Sequence, residues 1–347
     1  MTEVTGRRTV EMMIKAKKIT AKAIREFILD NAVIIMMIGV AVIVGILRPN
    51  FISAYNFKNL ISNTAVRFII AIGVSGCLIT KGTDLSAGRQ VGFAACIAAT
   101  LLQRADYAQK VFPNLPELPI IVVVLGLIIV FSLIGLINGL IIAILNVPPF
   151  IATLGMQTVI YGFCLVFTGA QPIGGLRTEY TNICSGSLFG ITWIPYLGII
   201  AICVGVLMWI MYNKTPHGKA IYAIGGNENS AEVSGINVRK VKILVYMTAS
   251  ALYAIAGFLL GGKAGGTSAS LGSGYELIAI AGCTIGGVSS NGGIGKVGGI
   301  LVGVLVFELL KIAMQFMGVT TAYTYVVQGL VIVIAVAFDI RKYVAKK

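Results

Sequence analysis

The chain carries a single histidine, His217, in 347 residues. A histidine-based metal or catalytic centre is therefore not expected, and no HExxH run occurs. Acids are scarce, 13 Asp and Glu against 27 Lys and Arg. No two of them pair inside one apolar segment as an acid–base site would require. The six cysteines, Cys77, Cys96, Cys164, Cys184, Cys203 and Cys283, lack metal-ligand spacing. Five lie in apolar segments and read as small, buried, inert thiols. Cys184 falls in a polar connection. A P-loop is missing too. Gly292-Gly293-Ile294-Gly295-Lys296 has a similar outline, but Val297 stands where Ser or Thr is needed. The sequence thus offers no catalytic constellation, no metal site and no cofactor or nucleotide site of its own. If ATP drives this protein, another subunit binds it.

Charge of either sign is also short, at 12% of residues, where soluble chains carry about 25%. The other side of that deficit is 57% hydrophobic residues. That much apolar surface must be solvated by lipid. A net charge of +14 would direct a soluble protein to nucleic acid. Here the basic residues cluster at the ends of apolar runs, as topology signals do, so no nucleic-acid partner is expected.

A helix crosses the hydrocarbon core in about 20 apolar residues. Clear runs occupy 31–47, 63–80, 119–145, 149–169, 193–212, 243–262, 294–315 and 322–338. Two shorter, glycine-interrupted runs occupy 86–103 and 274–289. The expected fold is all-α and integral to the membrane, with about ten transmembrane helices, two of them short or broken. Cations set the orientation. They concentrate in residues 1–30, in the loop 213–242 and in the tail at Arg341, Lys342, Lys346 and Lys347. The positive-inside rule puts all three in the cytoplasm, so both termini are cytoplasmic. Ten spans satisfy this, and so do eight with both short runs re-entrant. Residues 1–30 read as a cytoplasmic basic segment without a cleavable signal, and 31–347 as one polytopic domain. Residues 15–30 read as a basic topology anchor, with an interfacial amphipathic helix as the alternative. The connections 48–62, 104–117, 170–192 and 263–273 are then external.

Glycine is abundant, at 42 residues. Small residues four apart let membrane helices approach closely. The pairs are Gly135/Gly139, Gly257/Gly261, Gly282/Gly286 and the ladder Gly295/Gly299/Gly303. Glycine and charge also interrupt apolar runs around Lys81–Arg89 and in 286–293, in both halves of the chain. Irregular backbone at membrane depth survives only where protein buries it or a wet cavity meets it, a pattern of transport routes.

Ionisable residues inside such runs are expensive. Asp84 and Arg89, five positions apart, are read as neutralising each other or lying at the interface. Arg67 is read as a snorkelling anchor. Glu276 opens the short run at 274 and caps or lines it. Asn138, Gln157, Gln315 and Gln328 serve as interhelical hydrogen-bonding groups. The residues open to a solute route are Asp84, Ser86, Arg89, Gln90, Asn138, Gln157, Tyr275 and Glu276. In the loop 213–242 a short helix is expected from Ser230 to Val233, capped by Asn229 and stopped by Gly235. A structured element of this kind suits docking to a cytoplasmic partner.

The string Gly225-Gly226-Asn227-x-x-x-Ala231-x-x-Ser234-Gly235-Ile236-Asn237 resembles the coupling loop of ABC-importer permeases of the ribose/galactose class. Thr83-Asp84-Leu85-Ser86-Ala87-Gly88-Arg89-Gln90-Val91-Gly92 resembles the Asp-Leu-Ser-x-Gly segment of the same family. Further matches are Asn213-Lys214-Thr215, Tyr275-Glu276-Leu277, Gly286-Gly287-Val288-Ser289 and the ending Ala337-Phe338-Asp339. Thr83 and Arg89-Gln90 favour the members that carry galactose and methyl-galactoside. One departure is Asn229-Ser230-Ala231, where the family has Glu-Ala-Ala, with acids displaced to Glu228 and Glu232. The resemblance covers nearly all of the chain after the first span.

It implies a permease subunit of the bacterial inner membrane that imports a monosaccharide by alternating access. It implies ATP and Mg on a separate cytoplasmic ABC ATPase, which contacts Asn229, Ser230, Ala231, Glu232, Val233, Ser234, Gly235, Ile236 and Asn237. An extracytoplasmic sugar-binding protein and a second permease copy complete the assembly, in contact with membrane lipid. The rival reading is an ion-coupled secondary sugar transporter. It would need a titratable group at the midplane, for which Asp84 and Glu276 are peripheral.

Overall fold

The computed structural model describes residues 32–344. The basic segment 1–30, including the anchor at 15–30, lies outside the described residues, as do Lys346 and Lys347. Thirteen α-helices fill the described chain: α1 Ala32–Leu47, α2 Ala54–Ile79, α3 Ala87–Leu101, α4 Ile120–Ala143, α5 Pro149–Thr168, α6 Thr178–Ser185, α7 Tyr196–Lys214, α8 Pro216–Gly226, α9 Glu228–Val233, α10 Val238–Ala264, α11 Tyr275–Ile285, α12 Val297–Phe316 and α13 Thr321–Val344. Six of them, α2, α4, α5, α7, α10 and α12, are long and apolar enough to cross a membrane. Shorter apolar stretches occupy Met37–Leu47, Tyr275–Ile285 and Thr321–Ala337.

Each of the ten apolar runs in the sequence is a helix, but several boundaries differ. The connection expected over 48–62 is mostly helical, because α2 already begins at Ala54. Ser53 caps it, its hydroxyl accepting from the Asn56 amide at 3.2 Å. A cap, not hydropathy, sets a helix start, so the polar first turns escape a hydropathy reading. Likewise α10 begins at Val238 because Asn237 accepts from the Lys240 amide at 2.9 Å. The connection 170–192 contains α6, which buries Cys184 against Gly262. Burial pushes that thiol up to about 12. Cys203, read as buried, is exposed on α7 instead.

The core runs along α2 and α10. Helix α10 packs against α4, α3 and α2, while α2 packs also against α11, α12 and α7. Of the most apolar stretch of α2, 83% is covered by other helices, against 17% for α5. The outer helices therefore leave most of their side-chain surface uncovered by the bundle. The small-residue pairs lie at the helix contacts. A methyl group on Gly135 would run into the Tyr246 carbonyl, and one on Gly303 into the Gly282 carbonyl. Gly257 meets Val91 and Ala94 of α3 in the same way. Packing so close is how helices associate where lipid supplies no hydrophobic drive.

The loops gather at two ends. At one, the Gln103 and Leu176 backbones bridge, as do Ile173 and Thr267. Phe51, before α2, stacks edge-on to Phe316 at the close of α12, at 5.4 Å. At the other end, the Gly293 amide donates to the Ile79 carbonyl at 2.9 Å. That contact joins the end of α2 to the loop between α11 and α12, and α8 and α9 lie there too. Helix α11 is about 16 Å long at 1.5 Å per residue, roughly half the hydrocarbon thickness. The non-helical stretch before it packs on α3, its Leu271 and Gly272 carbonyls resting on Gly92 and Gly88.

Candidate functional site

The segment 213–242 is built by punctuation residues. The Thr215 hydroxyl caps α8, accepting from the Gly218 amide at 3.1 Å, and Pro216 occupies the first helical position. Asn227 leaves the helix in an extended conformation and caps α9, accepting from the Ser230 amide at 3.0 Å. The cap is thus Asn227 and not Asn229, and α9 begins at Glu228. The acceptor of an N-cap reaches an amide three residues ahead, and here that amide is Ser230. Gly235, at φ +85°, turns the chain out of α9 in a conformation that disfavours any side chain. Asn229, Ser230, Glu232, Val233, Ser234, Gly235 and Asn237 are exposed, Ile236 is half-buried and Ala231 is buried. Val233 is 90% exposed, a bare apolar side chain on a polar face. Glu228 accepts two hydrogen bonds from the Lys242 ammonium, at 2.7 and 2.8 Å. His217 lies half-buried in α8, and burial lowers its pKa.

Two polar ties and one close backbone contact join this segment to the bundle. The Tyr222 hydroxyl donates to the Gly295 carbonyl at 2.9 Å. The Lys81 ammonium donates to the Gly226 carbonyl at 3.3 Å. The Gly293 amide holds Ile79, and Gly225 sits so close to both that no side chain fits on it. Helix α8 is therefore fastened to the end of α2 and to the loop entering α12.

Among the residues considered for a solute route, four form one buried cluster. Asp84 accepts from the Ser86 amide at 3.0 Å and from the Ser86 hydroxyl at 2.6 Å. That hydroxyl accepts in turn from the Gln90 amide at 2.9 Å and from the Asn138 amide at 3.2 Å. Asp84, Ser86, Gln90 and Asn138 have no exposed surface. The cluster knits α3 to α4, with the Tyr246, Ser250 and Tyr253 side chains of α10 buried on the same core.

Asp84 and Arg89 do not neutralise each other. Asp84 precedes α3 and turns back on Ser86. Arg89 lies inside the helix and leaves on another side, its guanidinium 4.1 Å from the centre of the Tyr161 ring and donating to the Ala269 carbonyl at 3.4 Å. Glu276, only 6% exposed, lies against Gly88, whose missing side chain makes room for the carboxylate. Gln157, on α5, is half-buried and makes no side-chain hydrogen bond among the described residues.

Arg67 does not snorkel. It lies midway along α2, 5% exposed, in an ion pair with Glu308 of α12, which is 1% exposed. Its guanidinium also stands 5.3 Å from the centre of the Tyr275 ring. Lys263 donates to Asn63, one turn before Arg67. Sequence reasoning missed this pair, although a signal existed. Glu308 is the one acid in the run 294–315 and Arg67 the one charge in 63–80. A lone acid in one apolar run and a lone cation in another call for partners. Among the described residues, no group of three His, Cys, Asp or Glu gathers to hold a metal ion.

A membrane bundle with a half-length helix, a buried polar core and an exposed element tied to two helix ends has the build of a transport permease. The chain belongs to the family described as branched-chain amino acid transport system / permease component, which matches residues 56–336. It is a multi-pass inner-membrane protein and a transport subunit, not an enzyme. It is 43% identical over 322 residues to the galactose/methyl galactoside import permease protein of Haemophilus influenzae, covering 92% of this chain and 96% of that one. The protein of the same name from Escherichia coli K12 is 41% identical, with 94% and 98% covered. The ribose import permease protein of Bacillus subtilis is 38% identical, with 87% and 89% covered. No solved structure matches.

Proposed function

We propose that this chain is the membrane-spanning subunit of an ATP-driven importer that carries galactose and its methyl glycoside into the cytoplasm. The substrate follows from the two galactose/methyl galactoside import permeases, which are more similar to this chain than the ribose permease is. The observation that carries the mechanism is the exposed α9 segment, fastened through α8 to the end of α2 and to the loop entering α12.

The proposed membrane path has ten crossings, with α3 and α11 each running from one end of the bundle to the other and both termini in the cytoplasm. The cations of the loop 213–242, together with those of residues 1–30 and of the tail, favour this orientation. A cytoplasmic ATPase, holding ATP and Mg, docks on residues 229–237, with Val233 as the apolar contact. An extracytoplasmic sugar-binding protein delivers the solute at the opposite end. A second copy completes a homodimer, and lipid covers the outer helices.

ATP binding and hydrolysis shift α9. Helix α8 moves with it and carries Ile79 and Gly293, so the ends of α2 and α12 swing and the bundle opens alternately to each side. Asp84, Ser86, Gln90 and Asn138 hold α3 to α4 during this cycle, while Arg89, Tyr275 and Glu276 seat the start of α11. Affinity resides mainly in the binding protein, which fits a route without an exposed midplane charge. The test is uptake of radiolabelled galactose into proteoliposomes holding the chain, its ATPase and its binding protein. Accumulation that needs ATP and all three components is expected. Uptake by this chain alone, driven by an ion gradient, would refute the proposal.

A further inference from the structure

At the end opposite α9, three connections enclose an open cavity of about 970 Å³. Its frame is fastened. The Gln103 side chain, 3% exposed, donates to the Gly174 carbonyl and accepts from the Val111 amide, each at 2.9 Å. Ile173 and Thr267 exchange two backbone hydrogen bonds at 2.8 Å. The Tyr107 ring lies flat against Gly175, where a side chain would collide with it. A cavity held this way is present before any ligand arrives.

Its lining carries no formal charge. That is notable in a chain of net charge +14, because Arg104, Lys110 and Lys263 stand next to lining residues in the sequence. Each is turned elsewhere. Arg104 pairs with Asp106 at 3.6 Å, Lys110 donates to the Leu115 carbonyl at 2.6 Å, and Lys263 donates to Asn63. What lines the cavity instead is Gln109, Gln171, Thr168, Ser268 and the ring of Tyr107. Thr267 lines it as well, 5% exposed. Amides and hydroxyls beside one aromatic face, without charge, suit a neutral molecule rich in hydroxyls and give no hold on an ion.

Depth points the same way. Leu271 lines the cavity, and its carbonyl lies on Gly92 of α3, within the non-helical stretch that leads to α11. Irregular backbone at that depth is tolerated where it borders a wet cavity. The volume is at the upper end of small-molecule clefts, about 300–1,000 Å³, so a single sugar sits loosely with water around it.

We propose that this cavity is a low-affinity receiving site for a neutral sugar, one in each copy of the chain, filled when the binding protein releases its cargo. The proposal rests on the import reading above. Gly174 provides the test. Its backbone is not left-handed, and an added Cβ would meet only the Tyr107 hydroxyl, at 3.6 Å. Gly174→Phe therefore fills the cavity without displacing backbone.

The first readout is saturation-transfer NMR of galactose on the assembled complex in nanodiscs, without binding protein. The second is ATP-driven galactose uptake, with ATPase activity stimulated by the binding protein measured alongside. The wild type should transfer saturation to galactose and Gly174→Phe should not. Uptake by the variant should fall about tenfold or more while stimulated ATPase activity stays within about twofold. Gln171→Ala, which removes a lining amide without adding bulk, should weaken both sugar readouts and serves if the first variant fails to assemble. Absence of saturation transfer in the wild type, or wild-type uptake by Gly174→Phe, overturns the proposal. Loss of ATPase stimulation together with uptake also overturns it, because the cavity would then seat the binding protein. If the wild type takes up no sugar with ATP, the import reading itself fails, and that result is distinct from these.

Discussion

At the α9 end, backbone meets backbone: Gly225, Ile79 and Gly293 touch with no side chain between them. At the far end, loops are tied to one another but stand apart around an open cavity. Both ends use glycine and hydrogen bonds, yet for opposite purposes. Close glycine contacts make a stiff joint between one helix end and the next. A braced, uncharged hollow holds a solute without gripping it. Between the two ends, Arg67 pairs with Glu308, and Asp84 closes on Ser86.

The costliest change should fall between the ends. Glu308→Ala strands the buried Arg67 charge, and breaking a buried pair costs about 3–5 kcal/mol. Thermal unfolding in detergent should show the loss, and Arg67→Met added to it should restore part of the stability. At the α9 end, Gly225→Val forces α8 away from Ile79 and Gly293. Overpacking of this kind costs about 1–3 kcal/mol, and ATP-driven uptake should drop out of proportion to the stability change. The contrast between the ends is weakened if the valine variant transports normally. Asn227→Ala removes the α9 cap at a cost of about 1 kcal/mol. Its readout is weaker co-purification of the ATPase from the α9 face. Smallest of all, Gly174→Phe at the cavity end should leave the unfolding temperature within the effect of a surface change, about 0.5 kcal/mol. A large drop there would mean that the cavity end is packed as tightly as the other.

The sequence made the helices legible and their partners much less so. All ten apolar runs became helices, because hydropathy over about 20 residues is a strong signal. The starts of α2 and α10 were missed, because Ser53 and Asn237 set them through single hydrogen bonds. Helix α8, with its glycines and polar residues, reads as loop until Thr215 and Pro216 are recognised as a start signal. The short helix α9 is legible from its Asn and Gly punctuation, one cap late. Spacing misled for Asp84 and Arg89, because the chain leaves helical geometry between α2 and α3 and neighbours in sequence diverge. The Arg67–Glu308 pair joins helices far apart in the chain, and one sequence cannot say which lone charge meets which.

The central claim is a directional one: the α9 end faces the ATPase in the cytoplasm and the cavity faces the solute outside. It is tested most directly by labelling Val233→Cys and Gln171→Cys variants in spheroplasts with a membrane-impermeant thiol reagent. Gln171→Cys should react in intact spheroplasts, and Val233→Cys only after lysis. Labelling of Val233→Cys from outside, with Gln171→Cys protected, would invert the molecule and contradict the account.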